Sequence, residues 1–303
     1  MKKILFLTDK SGSYIQSMVK YLEKKLDNTE VIVDIFSNLK FEVDGKNIKV
    51  WVSDVNIEEF NLVYLRRADH TLFSVAGTLA DCLEYLGIAY FDTTFRNIGP
   101  AGDKFTAHVR LSIAGLPTIP SIFCWRDKIE KYSDDMIAKF GLPIVAKEFA
   151  TQRGKGVLLI KKKADFKKLL ERKRKDRDEQ FLFQKFIKND EEYRILVLKN
   201  TIGAYERKVR TDPNEFRSNV ALGAREEFID VDKIPEDHKK IAFSAAQTLN
   251  IEVAGVDLMI DSEEGRPWLV EVNRGPGLTL DVNVSPELQN LASFLKKELG
   301  KND

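Results

Sequence analysis

The stretch VAGVDLMIDSEEGRPWLVEVN, residues 253–273, constrains the fold of this chain more than any other. Two apolar runs flank DSEEGRP, a gap rich in turn formers, so the stretch reads as a β-hairpin. Strand periodicity puts Val256, Leu258 and Ile260 on one face and Gly255, Asp257 and Met259 on the other. In the second strand it groups Trp268, Val270 and Val272 against Leu269, Glu271 and Asn273. A register centred on Glu264 sets Asp257 opposite Glu271, with Asn273 one step further along. Two carboxylates and an amide oxygen then converge on one surface. Side by side, the like charges repel unless a cation joins them. Hard oxygen donors at close range suit Mg²⁺, which also takes phosphate oxygens and water. Read alone, the same pattern also fits a hairpin with a polar, solvated outer face.

The chain around this hairpin has 303 residues, enough for one large domain or two to three smaller ones, and its 43% hydrophobic content supports a full core. Lys and Arg total 48 against 47 Asp and Glu, a net charge of +1, which gives no electrostatic case for nucleic-acid or membrane binding. Cys82 and Cys124 have no metal-ligand spacing and are too few for a disulfide framework. They read as reduced thiols of a cytoplasmic protein. Asp9 breaks the opening run MKKILFLTDK too early for a signal peptide, so the run reads as a first buried strand. No stretch approaches the roughly 18 apolar residues of a membrane span.

Three blocks follow from the patterning. In residues 1–98, the strands KILFLT, EVIVDIF, FNLVYLRR and IAYF are interleaved with the helices SYIQSMVKYLEKKL and TLADCLEYLG, which predicts an open, mostly parallel sheet. Ligands of such sheets bind beyond the carboxyl ends of the strands. Arg66 and Arg67 sit at such an end, either as substrate contacts or as solvated arginines. SGSY around Gly12 lacks the GxGxxG spacing of a dinucleotide site. Residues 99–187 carry a helix from Asp103 to Ala114, a Gly/Pro-rich connector and the strands LPIVAKEF, GVLLIKK and FLFQKFI. The charge run ADFKKLLERKRKDRDEQ between the last two is a solvated helix face. Residues 188–303 hold the strands EYRILVLKN and IGAYERKVR, the loop TDPNEFRSNVALG, the helix EDHKKIAFSAAQTLN, the hairpin and a closing helix SPELQNLASFLKKEL.

A magnesium site for phosphoryl transfer needs donors for the phosphates. Lys147 ends the strand LPIVAK, and Lys104 lies at a helix start, where the dipole favours an anion. Gly154 and Gly156 in TQRGKGV let backbone N–H groups approach an anion, although the same loop also fits a plain hairpin turn. FQKFI suits a hinge strand whose backbone borders an adenine edge, and Glu192 suits a ribose hydroxyl. His70, His108 and His238 form no constellation.

In order and spacing, LPIVAKEFATQRGKGV, FQKFI, EYRILVL, YERKV, FRSNV, AGVDLMI and VEVNRGPG resemble the ATP-grasp superfamily. Within it they are similar to RimK-type alpha-L-glutamate ligases and related ATP-dependent carboxylate–amine (peptide) ligases, over Asp103 to Leu278. The resemblance implies an α/β (α+β) ATP-grasp fold: an N-terminal pre-ATP-grasp open parallel sheet, a small central domain and a C-terminal antiparallel-sheet domain. ATP would lie between the last two. Lys104 and Lys147 would contact its phosphates, under a lid running through Thr151, Gln152, Gly154 and Gly156 to Val157. Gln184, Lys185, Phe186 and Ile187 would border the adenine, with Glu192 on the ribose. Asp257, Glu271 and Asn273 would hold two Mg²⁺ ions, with Mn²⁺ as an alternative. Arg207, Arg217 and Asn219 would reach the γ-phosphate and the developing acyl phosphate. Arg274, like Arg66 and Arg67, is a candidate for a substrate carboxylate.

The implied chemistry is amide or peptide bond formation through an acyl phosphate. The acceptor would be an amino acid, a peptide or a protein, and a homo-oligomer is compatible with the resemblance. A kinase on the same fold and a non-catalytic nucleotide-binding protein are the alternatives. Around the substrate pockets the chain departs from the glutamate-ligase pattern. The lid has one residue more, VALGA replaces a His-Arg pair, and RGPG follows Asn273 where the family usually has a small residue before the proline. Glutamate is therefore not specified as the substrate.

Overall fold

The apolar run KKILFLT forms β1 (Lys2–Thr8), buried from Ile4 to Leu7 as a central parallel strand must be. Helix α1 (Ser13–Lys25) buries Ile15, Met18, Val19 and Leu22 at helical spacing, and β2 (Thr29–Ile35) returns parallel to β1. This computed structural model describes residues 1–44, 47–68, 70–96, 104–148, 156–171, 180–212, 215–217 and 223–300.

Sequence patterning predicts no element over residues 37–59, but three short antiparallel strands form there: β3 (Leu39–Asp44), β4 (Asn47–Val52) and β5 (Val55–Asn56). Ser53 and Asp54, at φ 44° and 67°, make the tight turn between the last two. Val50 and Val52 pack this flap onto Leu5, Leu7 and Val63. The parallel sheet is completed by β6 (Leu62–Leu65) and, after helix α2 (Phe73–Leu86), by β7 (Tyr90–Phe91). Its order is β2-β1-β6-β7. Connections therefore leave β1 in opposite directions, and the crevice beyond β1 and β6 is a topological switch point.

The second block opens with α3 (Lys104–Ile113), followed by β8 (Ser121–Trp125), α4 (Ile129–Phe140), β9 (Ile144–Glu148), β10 (Val157–Ile160), α5 (Asp165–Glu171) and β11 (Gln180–Lys185). The antiparallel order is β10-β9-β11-β8. Strand β8 and helix α4 occupy a stretch where patterning predicts neither, because SIFCW is short and shows no alternation. Phe181, Phe183, Ala146 and Ile160 pack with residues of α4 and α5. Strand alternation leaves Lys147 and Gln184 on the opposite face.

The third sheet contains β12 (Asn189–Leu198), β13 (Thr201–Val209), β14 (Arg225–Ile229), β15 (Val253–Asp261) and β16 (Pro267–Arg274), in the order β14-β13-β12-β15-β16. Helix α6 (Glu236–Thr248) covers one face, with Ala242, Ala245 and Ala246 against Tyr193, Ile195, Val256 and Leu258. Helix α7 (Glu287–Leu299) turns back to the first block, where Leu288, Leu291 and Leu295 share a core with Ile15, Met18 and Leu22 of α1. No helix among the described residues is long and apolar enough to cross a membrane.

Asp92, just beyond β7, stitches the first and third blocks together. It is fully buried, and its Oδ1 accepts the backbone N–H groups of Glu252 and Val253 at 3.0 and 3.1 Å. Its Oδ2 has no partner among the described residues. Burial, with the Glu252 charge adding, pushes the Asp92 carboxyl well above the usual range. A raised carboxyl stabilises the fold fully at low pH and loses that contribution as pH rises through its folded value. Asp92→Asn should therefore gain at least about 1.4 kcal/mol over the wild type at pH 8, the equivalent of one pKa unit. The gain should vanish below about pH 4, where the carboxyl is protonated in the unfolded chain as well. Urea unfolding of both proteins at the two pH values measures it.

Candidate active site

Cross-strand pairing sets Glu206, Arg194, Asp257 and Glu271 in one row across β13, β12, β15 and β16. The neighbouring row holds Lys208, Glu192, Met259 and Trp268, and Gly255 pairs with Asn273 on the other side. These rows share the face that α6 leaves open. The expected pairing of Asp257 with Glu271 is present.

The alternation expected in β16 is not. The register slips so that Leu258 faces Leu269 while Asp257 still faces Glu271, which makes Val270 an extra, bulged residue. Leu269 and Val272 consequently join the core under α6, rather than lying on opposite faces. Trp268 and Val270 pack instead with Ile119, Ile187 and Met259, a small apolar cluster between the second and third sheets.

Asp257 is the hub of the open face. Arg194 Nε and Nη2 donate to its Oδ1 and Oδ2, both at 2.9 Å, and Lys208 Nζ donates to Oδ1 at 2.7 Å. Burial alone would raise the Asp257 carboxyl, but the Arg194 and Lys208 charges hold it far below the usual carboxylate range. Asn273 Nδ2 donates to Asp257 Oδ2 and to Glu271 Oε1, each at 3.0 Å. An amide N–H group thus stands between the two carboxylates, where a cation would otherwise relieve their repulsion. Turning that amide over presents Oδ1 and gives an all-oxygen set. These three residues fit a hard divalent cation. Among the described residues no group of three acidic, histidine or cysteine side chains gathers for a metal, so the third donor here is an amide.

Arg207 lies on the wrong face for the role the resemblance implied. It pairs across the strands with Tyr193 and Glu227, the α6 side, and its Nη2 donates to Glu227 Oε2 at 2.6 Å. Alternation gives the open-face position to Lys208 instead. Counting in twos from buried Tyr205 finds this from sequence, since Tyr205 and Arg207 must share a face. Arg194 is found by the same count from Tyr193. Lys208→Ala should lower ATP turnover about 10²-fold, the scale for removing one preorganised donor. Arg207→Ala, which breaks a half-exposed pair, should leave turnover within about threefold. Parallel phosphate-release assays on the two variants test the assignment.

The other candidates divide. Lys147 projects from β9 on the same face as Gln184. Gln184 is buried and its Nε2 donates to Ser121 Oγ at 2.9 Å. Lys185 is exposed and its backbone N–H is committed to the Pro120 carbonyl at 3.0 Å. Phe186 is half-buried, and Ile187 belongs to the apolar cluster between the sheets. Glu192 lies on the open face, where its Oε1 accepts from Asn189 Nδ2 at 3.2 Å. Arg217 grips Glu215 through Nε and Nη2 at 2.8 and 2.7 Å and reaches the Val157 carbonyl at 3.5 Å. Gly156 enters β10, its carbonyl accepting from the Glu148 N–H at 2.9 Å. Lys104 begins α3. Thr151, Gln152, Gly154 and Asn219 lie outside the described residues.

The three arginines gather around the loop that follows β16. Arg66 is 2% exposed, and its Nη2 donates to the Pro276 carbonyl at 2.8 Å. Arg67 Nε donates to the Gly275 carbonyl at 3.0 Å. Arg274 lies over the rings of Phe95 and Phe73, at 4.4 and 4.9 Å from their centroids. None of the three forms an ion pair among the described residues. Burial lowers both Arg67 and Arg274, as it does any cation held without a matching charge.

An open parallel sheet, a small antiparallel sheet bearing an inward lysine and a larger one bearing paired carboxylates together define an ATP-grasp enzyme. Residues 101–291 match the model of the RimK-like ATP-grasp domain, and the chain belongs to that family. A probable alpha-L-glutamate ligase of Cellvibrio japonicus is 29% identical over 271 residues, which cover 88% of this chain and 82% of the relative. Among solved structures, the Chryseobacterium gregarium RiPP-associated ATP-grasp ligase in complex with ADP, and a leader and core peptide, shares the fold at a TM-score of 0.69 and 15% identity, covering 100% of this chain and 98% of that one. The ATP-grasp ligase PsnB, complexed with a phosphomimetic variant of minimal precursor, Mg and ADP, also aligns at 0.69, with 18% identity over 99% of this chain and 98% of that one.

Proposed function

We propose that this chain is an ATP-dependent ligase that joins a carboxylate to an amine, with at least one of the two carried on a peptide. The observation that carries the reading is the open-face set of Asp257, Glu271 and Asn273 on the third sheet, together with Lys147 on the face of the second sheet that α4 and α5 leave open. ATP lies between the second and third sheets. Its base rests on the apolar cluster around Ile187, bordered by Gln184, Lys185 and Phe186, and Glu192 takes a ribose hydroxyl. Lys147 and Lys104 hold the phosphates, with Thr151, Gln152, Gly154 and Gly156 of the glycine-bearing stretch as further phosphate donors. Asp257, Glu271 and Asn273 hold two Mg²⁺ ions, which when bound neutralise charge on the phosphates. Lys208 takes the place first expected for Arg207, beside Arg217 and Asn219, where the γ-phosphoryl group meets the carboxylate.

The γ-phosphoryl group passes to the carboxylate oxygen, ADP leaves, and the amine nitrogen attacks the acyl carbon and expels phosphate. Enclosure between the sheets keeps water from the acyl phosphate. Peptide specificity is supported by the leader and core peptide bound in the Chryseobacterium gregarium neighbour. It is also supported by three arginines around the loop after β16 that form no ion pair among the described residues and suit substrate carboxylates. The test is phosphate release from Mg-ATP against pools of amino acids and short peptides, with mass spectrometry of the products. Phosphate plus a product lighter than its two substrates by one water is expected. ADP with a phosphorylated hydroxyl product would overturn the reading in favour of a kinase.

A further inference from the structure

Glu206 sits in the middle of β13, 2% exposed, in the row that leads through Arg194 to Asp257. Its Oε1 is enclosed and has no hydrogen-bond partner, and neither of its oxygens enters an ion pair among the described residues. The two nearby cations, Arg194 and Lys208, are both turned to Asp257. A second carboxylate adds to the deficit. Glu226, cross-strand from Lys208 on the edge strand β14, is half-buried and has only its Oε2 occupied, by Thr279 Oγ1 at 2.9 Å. Glu287, nearby, accepts the Thr279 N–H and the Ser285 hydroxyl on the same oxygen, Oε2, at 2.6 and 3.1 Å, which braces its own loop. Burial pushes the Glu206 carboxyl up to about 7, with Lys208 and Arg194 opposing and Glu226 adding. A buried carboxylate without a partner costs stability, and sites keep such groups for a ligand that completes them.

We infer that Glu206 and Glu226 form the seat for the amine substrate, which is a primary amine in its ammonium form, such as a lysine side chain or an α-amine. The inference rests on the ligase reading above. An ammonium group carries directional donors in a compact single charge, which match Glu206 Oε1 and the vacant oxygen of Glu226. A second divalent cation fits less well, because the Arg194 guanidinium lies between Glu206 and Asp257 and repels it. The seat lies beside β14, the edge strand of the sheet, one strand beyond Arg194 from the Asp257 hub. Glu206 thereby selects the nucleophile rather than the nucleotide, and it accepts the proton that the ammonium gives up before its nitrogen attacks.

The experiment compares two nucleophiles on the full chain with Mg-ATP and a pool of the twenty amino acids and short peptides as carboxylates. Hydroxylamine, uncharged at neutral pH, traps the acyl phosphate as a hydroxamate, and lysine amide supplies an ammonium. Glu206→Gln should raise the KM for lysine amide at least about tenfold, the scale of one lost charge-assisted hydrogen bond. The ratio of lysine-amide to hydroxylamine coupling should fall equally, with the KM for ATP unmoved. Glu206→Asp should recover part of the ratio, and Glu226→Gln should shift it the same way. Glu206→Gln should also melt higher than the wild type, because a strained charge is gone. An unchanged ratio in Glu206→Gln and Glu226→Gln would overturn the seat while leaving the ligase intact. A wild type that forms no hydroxamate with any carboxylate would overturn the ligase reading and the seat with it.

Discussion

Glu271→Ala should reduce ATP turnover by at least about 10³-fold, or roughly 4 kcal/mol of transition-state stabilisation. The size follows from position. Glu271 faces Asp257 across β15 and β16, and among the described residues its side chain takes one hydrogen bond, from Asn273 Nδ2. It stands half-buried, with no cation of its own. Its removal therefore deletes a ligand and little else, so unfolding free energy should change by less than about 1 kcal/mol. Asp257→Ala could not give so clean an answer, because it would strand Arg194 and Lys208 as buried, unmatched charges. Phosphate release and urea unfolding, run together, measure both quantities. A Glu271→Ala protein that turns over ATP at the wild-type rate sinks the magnesium assignment.

Gly275→Ala should destabilise the protein by about 3 kcal/mol or more, the largest loss expected from adding a single methyl group here. Gly275 holds φ at +51°, where a side chain is strained. A Cβ built there would lie 1.8 Å from the Arg66 carbonyl oxygen. Backbone meets backbone, so no rotamer change relieves the clash. The strain must part the loop after β16 from the end of β6, breaking the bonds from Arg66 to Pro276 and from Arg67 to Gly275. Thermal unfolding and amide exchange at Leu65–Arg67 would report the loss. A variant as stable as the wild type would refute the close approach.

What the sequence disclosed depended on whether the signal was periodic. The pairing of Asp257 with Glu271 followed from counting outward from a turn, and it holds. The bulge at Val270 could not be counted, because a bulge is set by cross-strand hydrogen bonding and leaves no mark in residue type. Arg207 and Lys208 show the opposite error. The needed information was present, since Tyr205 and Tyr193 announce which face is core, but motif matching overrode the period. The flap of β3, β4 and β5 escaped although Asp44-Gly45, between the alternating stretches FEV and NIKVWV, marks its first hairpin; only its second turn, Ser53-Asp54, lies outside the Asn-Gly and Asp-Gly pairs. Glu206 was unreadable for a deeper reason. That a carboxylate is left without a partner is decided by where Arg194 and Lys208 point, which only tertiary packing settles. Asn219 and most of the glycine loop remain sequence-level expectations.

The apolar cluster of Ile119, Ile187, Trp268, Met259 and Val270 sits where the second block is stitched to the third. One stitch is the approach to β8, where Leu269 N–H bonds the Pro117 carbonyl at 2.8 Å. The other is the exit from β11 into β12. Both crossings lie side by side, since the Lys185 N–H bonds the Pro120 carbonyl. The middle sheet is thus mounted like a jaw on a fulcrum, and the fulcrum is greasy. A rotation about it would carry Lys147, which pairs with Leu182 three residues back from the pivot end of β11, toward or away from the third sheet. A nucleobase resting on the pivot would hardly move. The base could stay gripped through every cycle while the phosphate end opens and shuts, which separates holding the nucleotide from admitting the partners it activates.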